Sequence, residues 1–342
     1  DSTGHRAAPG TSVAGLRAER GGALPGARAG DPEGPPMTRG HGSDSPPEGG
    51  SGPGRDDVTT RLLDLIHGSW ASQAVCVAAE LGIADLLADG PKSVEHLAGA
   101  AGCHAPSLQR LMRALASLGL CREHPGGTYE LTPLGALLRA DGPTSLRSWA
   151  IWWGRHLAPV WDQLLYSVQT GQEARTQATG AQGFDGVAQH PERAAVFHQA
   201  MVELTRLTAR AVVSSYDFAG MNRIVDVGGG YGELLAAVLH AYPLAHGVLL
   251  DLPHAIEGAR RHLKRRGVQD RCDLVEGSFF ESVPPGGDAY LVKSVIHDWD
   301  DAHGAVILRN CRQAMPPSAK LLLIEGLMPG QMEASAMHQN RA

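Results

Sequence analysis

Four glycines, at 228, 229, 230 and 232, follow Asp226 in the run RIVDVGGGYG that spans Arg223 to Gly232. Apolar residues lead into the acid, and Leu234, Leu235, Val238, Leu239 and Tyr242 recur behind the glycines at helical spacing. That pattern predicts a buried strand, a tight turn and a helix. Such a turn needs glycine, because the backbone adopts positive φ and lets a ligand approach closely. The helix N-terminus then faces that ligand. A dinucleotide fingerprint requires GxGxxG, but Glu233 stands where its third glycine belongs, leaving GxGxG at Gly228, Gly230 and Gly232. An acid just before the loop favours a cationic or amino-bearing ligand over an anion.

Later segments bring more chemistry to the same place. AHGVLLDLPH predicts a second strand ending in Asp251, placed to accept hydrogen bonds from ribose hydroxyls. RCDLVEGSFF predicts a third, followed by Ser278 and Phe279, a small polar group and an aromatic face that suit adenine. GDAYLVKSVIHDWDD predicts a fourth running out into His297 and Asp298, and KLLLIEG a fifth ending in Glu325. Strands alternating with helices imply a parallel sheet, whose ligands sit beyond the C-terminal strand ends. Asp251, Phe279, His297 and Glu325 all fall at that edge. S-adenosylmethionine, with an amino acid head, a ribose and an adenine but no phosphate, fits such a site.

The elements upstream position it. RLLDLIHGSWASQAVCVAAELGIADLLADG reads as helical, with Gly82 and Gly90 as ends. A helix capped by Ser93, a second carrying Leu108, Leu111, Met112, Leu115 and Leu118, and a hairpin around Pro125-Gly126-Gly127 make a winged-helix pattern. The second helix offers only Arg110 and Arg113 as bases, too few to neutralise a phosphate backbone, so packing or dimerisation is the stronger reading. Residues 144–218 read as helices, with Trp149, Trp152, Trp153 and Trp161 in one and Phe197, Met201, Leu204 and Thr208 along a face of another. That aromatic and methionine stripe suits either core or an irregular apolar pocket.

Composition narrows the class. The 342 residues suffice for two domains, and the net charge of −6 argues against a general nucleic-acid binder. Cys76, Cys103, Cys121, Cys272 and Cys311 are scattered without CxxC spacing, which fits the cytoplasm and predicts neither a metal cluster nor disulfides. No apolar run reaches the ~18 residues of a membrane span. Residues 1–57, crowded with Gly, Pro, Ser, Ala and Arg, predict a disordered segment in which Met37 is a candidate start.

VDVGGGYGELL, DLPH, GSFFESVP, IHDWDD and LLLIEGLMP, in this order, resemble the S-adenosylmethionine-dependent O-methyltransferases of plant phenols and bacterial aromatic natural products. The caffeate, acetylserotonin and anthracycline enzymes belong to that class. The resemblance covers roughly residues 58–329 and looks most similar to actinomycete members. It implies a Rossmann-like α/β methyltransferase domain (219–342), a helical winged-helix-like dimerisation domain (58–143) and linking helices around the acceptor pocket (144–218). It implies His297 as general base, oriented by Glu325. It implies that Gly228, Gly230, Asp251, Leu252, Ser278, Phe279 and Lys293 hold S-adenosylmethionine, and that Phe197, Met201, Asp298 and Trp152 face a small aromatic acceptor. A homodimer through the N-terminal domain is implied as well, with neither nucleic acid nor membrane as partner.

The chemistry agrees with this. A sulfonium methyl is already electrophilic, so the protein must align a desolvated oxygen nucleophile. A phenol, with pKa about 10, is largely neutral at pH 7, and histidine is the side chain suited to take its proton. Two departures from the family pattern remain. Ser278 replaces the usual Asp, and LMPGQMEASAMHQNRA after Glu325 lacks the family's last two strands, an antiparallel hairpin. On this reading the sheet ends early. A non-methylating relative (hydroxylase- or decarboxylase-like) and an inactive dimer partner are the alternatives.

Overall fold

The computed structural model describes residues 55–180, 187 and 190–327. Residues 1–54, with Met37, and the tail from 328 onward lie outside the described residues, so the expected disordered segment and early end of the sheet fall there. The first helix, α1, runs over Arg55–Glu80, a little upstream of the expected boundary at 58.

Two structural layers follow. In the first, β1 (Lys92–Ser93) precedes α2 (Val94–Ala101) and α3 (Ala105–Ser117), and β2 (Cys121–His124) pairs antiparallel with β3 (Thr128–Leu131). Ser93 caps α2 by accepting from the His96 amide, the satisfaction of an orphan helix donor that N-caps provide. The expected hairpin gains a third strand, because Lys92 and Ser93 pair with Tyr129 and Thr128. Leu97, Met112, Leu115 and Tyr129 fill the core beneath. The apolar side chains Leu62, Leu65, Ile66 and Trp70 of α1 stand exposed, Leu65 at 73%.

Helix α4 (Arg147–Trp152) passes into a π-helical turn at Trp153–Leu157. Helix α5 (Pro191–Ser215) then lies against both α4 and the second layer. Glu203 of α5 is buried, and its carboxylate accepts the Ser148 and Trp149 amides at the start of α4, at 3.1 and 2.9 Å. These bonds satisfy two orphan donors of that helix.

The second layer is the predicted parallel sheet: β4 (Arg223–Val227), α6 (Glu233–Ala241), β5 (His246–Asp251), α7 (Pro253–Arg265), β6 (Cys272–Glu276), β7 (Ala289–Lys293), α8 (Asp301–Ala314) and β8 (Lys320–Ile324). The strand order is β6-β5-β4-β7-β8, every pairing parallel. Ile224, Val225, Val248, Leu249, Leu291 and Val292 are fully buried, the continuous apolar strands expected when both faces of a sheet are covered. The order reverses beside β4, so its C-terminal end opens the crevice where such sheets bind ligands. Among the described residues no helix is long and apolar enough to cross a membrane.

Two positions here yield tests. A Cβ on Gly258 of α7 would lie 2.1 Å from the Tyr231 ring. Alanine would favour the helix by about 1 kcal/mol, but overpacking of this kind costs about 1–3 kcal/mol. Gly258→Ala is therefore expected to lower the melting temperature; a rise would show that the ring moves freely. Asp226 is 1% exposed, and burial, then Asp251, push its pKa from 3.8 up to about 7. The folded state thus holds a proton that the unfolded chain releases, and this contribution to stability is lost as pH rises from about 4 through about 7. Asp226→Asn is expected to remove that slope from denaturation curves recorded across pH 4–8; identical slopes would refute it.

Candidate active site

The glycine turn after β4 holds Gly228, Gly230 and Gly232 at φ of 70°, 59° and 78°, the left-handed region that side chains resist. Absence of a Cβ matters as much at Gly229, where one would sit 2.3 Å from Asp226 Oδ2. The Asp226 carboxylate is tucked under the turn, and neither oxygen has a hydrogen-bond partner. The missing side chain at 229 gives this acid room beneath the loop. At the next strand end, Asp251 accepts from the Gly230 and Leu252 amides, each at 2.7 Å. Burial raises the Asp251 pKa, and these two amides pull it back.

On the other side of β4, Lys293 ends β7, with Nζ 3.2 Å from Ser294 Oγ. Burial lowers its pKa, while Asp226 and Glu325 raise it. Phe279 lies against the turn, 3.2 Å from where a Gly228 Cβ would be, and its ring meets Phe280 and Trp299. Ser278 Oγ accepts from the Phe280 amide at 3.2 Å, so its hydroxyl serves its own turn while keeping a free lone pair. Leu252 caps α7 and is half exposed. A side-chain-free cradle, an orphaned buried carboxylate, a ribose-type acid and an aromatic face fit a nucleoside with a charged amino acid arm.

Beyond β7 the chain kinks. Among the described residues, Ser294 is the non-glycine residue at positive φ, 53°, a conformation costing about 1–3 kcal/mol that persists only where surroundings enforce it. Its amide donates to the Ile324 carbonyl at 3.0 Å. Glu325 Oε1 accepts the Val295 and Ile296 amides, both at 3.0 Å, and Oε2 meets His297 Nδ1 at 2.5 Å. With that nitrogen donating, Nε2 becomes the acceptor, 3.7 Å from Asp298 Oδ1. The His297 side chain is 55% exposed. Burial raises the Asp298 pKa; His297 and then Arg175 lower it. Such an imidazole can accept a proton from a hydroxyl or an amine.

A third group sits on α4 and α5. Trp152 is buried 5.0 Å from the Phe197 ring, in a cluster that includes Met201. Arg175 acts electrostatically on Asp298 and on Arg193, and the Arg193 guanidinium lies 5.6 Å over Trp152. Sequence reasoning missed three residues here. Arg193 was visible as the i−4 neighbour of Phe197. Ser294 carried no signal, because strain is set by tertiary bonds. His198 is buried with both ring nitrogens unpartnered, stacked 4.7 Å from Tyr231. Burial and His254 push its pKa down to about 3. A separate cleft of about 930 Å³, lined by Arg206, Arg210, Glu233 and Arg266, opens behind the glycine helix and includes none of the expected site residues.

Known proteins are similar to this chain in sequence and fold. The O-methyltransferase domain model matches residues 161–341, and the O-methyltransferase dimerisation domain model matches 63–141. Phenazine O-methyltransferase of Lysobacter antibioticus is 44% identical over 272 residues, 80% of each chain. Phenazine-1-carboxylate N-methyltransferase of Pseudomonas aeruginosa is 34% identical, over 77% of this chain and 78% of the relative. Human N-acetylserotonin methyltransferase, solved in complex with S-adenosylmethionine, superposes with a TM-score of 0.77 at 27% identity, over 85% of this chain and 87% of that one. A glycine cradle at the switch point of a parallel sheet, the domain match over more than half the chain and these relatives converge, and the chain belongs to the S-adenosylmethionine-dependent O-methyltransferase family.

Proposed function

We propose that the protein methylates a phenolic hydroxyl of an aromatic natural product, with His297 as general base and Glu325 as the residue that positions it. The observation carrying this is the Glu325 carboxylate, which grips the His297 Nδ1 proton and two amides of the same turn. Its grip leaves Nε2 as the acceptor on the exposed side. Gly228, Gly230, Asp251, Leu252, Ser278, Phe279 and Lys293 would hold S-adenosylmethionine. When bound, it supplies an electrophilic sulfonium methyl. Phe197, Met201 and Trp152 give the acceptor an apolar wall, and Asp298 stands beside the base. His297 takes the phenol proton as the oxygen becomes a nucleophile, a contribution of about 10²–10⁴-fold, and Glu325 stabilises the imidazolium that results.

A second reading is N-methylation, favoured by the similarity to a phenazine-1-carboxylate N-methyltransferase. An amine acceptor already presents a lone pair, so the base is needed only after transfer. We also propose a homodimer. The match to a dimerisation domain supports it, as does the exposed stripe of Leu62, Leu65, Ile66 and Trp70 along α1, an apolar patch of the kind that marks interfaces.

His297→Ala is expected to lower kcat for phenols by about 10²–10⁴-fold while S-adenosylhomocysteine affinity, measured by calorimetry, changes less than about threefold. Glu325→Gln should fall between that variant and the wild type, since an amide keeps one acceptor but loses the charge. Unchanged phenol turnover in His297→Ala, or amines as the sole acceptors, would reject the base-catalysed O-methyl reading. For the dimer, the double variant Leu65→Asp, Ile66→Asp is expected to run as a monomer in sedimentation at micromolar concentration where the wild type runs as a dimer.

A further inference from the structure

Arg193 stands in the first turn of α5, one turn before Phe197 and two before Met201. Spacing of i, i+4 and i+8 puts the three on one helical face. The guanidinium stacks 5.6 Å over Trp152, the indole that Phe197 also touches. Its Nε is buried and has no hydrogen-bond partner.

Apart from the Trp152 face, the described charges near this cation do not offset it. Burial, then Arg175, lower its pKa. Arg175 itself faces Glu173 at 3.5 Å. His156, 4.7 Å from the same Trp152, is held neutral-leaning by burial and by Arg193. The helix adds its positive end, where a cation is disfavoured and an anion favoured. Among the described residues no carboxylate pairs with Arg193, and neighbouring Glu192 is exposed. The side chain as a whole is partly buried, and its Nε is a buried donor left unsatisfied where such donors are normally paired. One anion in front of Arg193 would pair the cation, satisfy its Nε and suit the helix N-terminus together.

We propose that the acceptor is an aromatic carboxylate, its ring against Trp152, Phe197 and Met201 and its carboxylate held by Arg193 at the helix N-terminus. This rests on the methyl-transfer reading for what the pocket is, but it concerns which molecule enters. Bidentate capture of a carboxylate is what a guanidinium does best. The group would also fix which ring position meets His297, so Arg193 is a specificity residue and not a catalytic one.

The test is calorimetric titration of the S-adenosylhomocysteine-saturated protein with hydroxybenzoates, hydroxynaphthoates and hydroxyphenazine carboxylates, each paired with its primary amide. The wild type is expected to bind at least one acid about tenfold or more tighter than its amide, the range of a charge-assisted hydrogen bond. Arg193→Gln should erase that preference by weakening the acid alone, and Arg193→Lys should retain part of it. Because no carboxylate among the described residues pairs with this charge, the ligand-free Arg193→Gln protein should melt no lower than the wild type. No acid preference in any pair overturns the proposal. So does equal weakening of acid and amide, which assigns Arg193 to packing, or a loss confined to S-adenosylhomocysteine, which assigns it to the donor's carboxylate. An acid preference without methyl transfer to any acceptor would leave this inference standing and sink the methyl-transfer reading instead.

Discussion

The carboxylate of Glu325 is shared between two tasks that are usually separate. One oxygen closes the turn after β7 through the Val295 and Ile296 amides, and the other orients the His297 ring. The backbone that presents the imidazole and the tautomer it adopts are therefore set by one group. That group sits immediately past β8 only because β7 and β8 pair parallel, Lys293 opposite Ile324. Register in a parallel sheet thus becomes alignment of reactive groups, since a one-residue slip would turn every side chain to the other face.

The same logic extends across the sheet. Asp251, Asp226, Lys293 and Glu325 come from four neighbouring strands and crowd one edge. Burial raises the two aspartates and lowers the lysine, as a partly dry crevice must. Charges of both signs share the crevice, and Lys293 offsets the aspartates. A site assembled this way tolerates a nucleoside carrying both an ammonium and a carboxylate better than it would a phosphate.

Much of this was legible in the sequence, for a physical reason. Period-2 and unbroken apolar runs identify strands, and parallel topology sends every strand's last residue to the same edge. Asp251, His297 and Glu325 could thus be gathered without coordinates. What stayed hidden depends on space rather than spacing. The two-residue strand at Lys92–Ser93 is too short for any periodicity. The depth of Asp226 depends on the missing Cβ of Gly229. That no carboxylate among the described residues pairs with Arg193 depends on tertiary placement, and no local pattern encodes that. The engagement of Ser278 in its own turn was equally invisible, since a hydroxyl's partner is chosen by the loop around it.

Ser294 carries a consequence for dynamics. Its unfavourable backbone is held by a bond to Ile324, the last residue of β8, and by Glu325 beyond it. Fraying ends of elements are where native-state opening costs least free energy. When β8 frays, the kink at Ser294 relaxes downhill and the imidazole loses its bearing in the same event. Amide exchange at Val295 and Ile296 should then track that at Leu322 and Ile324, one cooperative unit whose opening rate limits how long the His297 ring stays aimed.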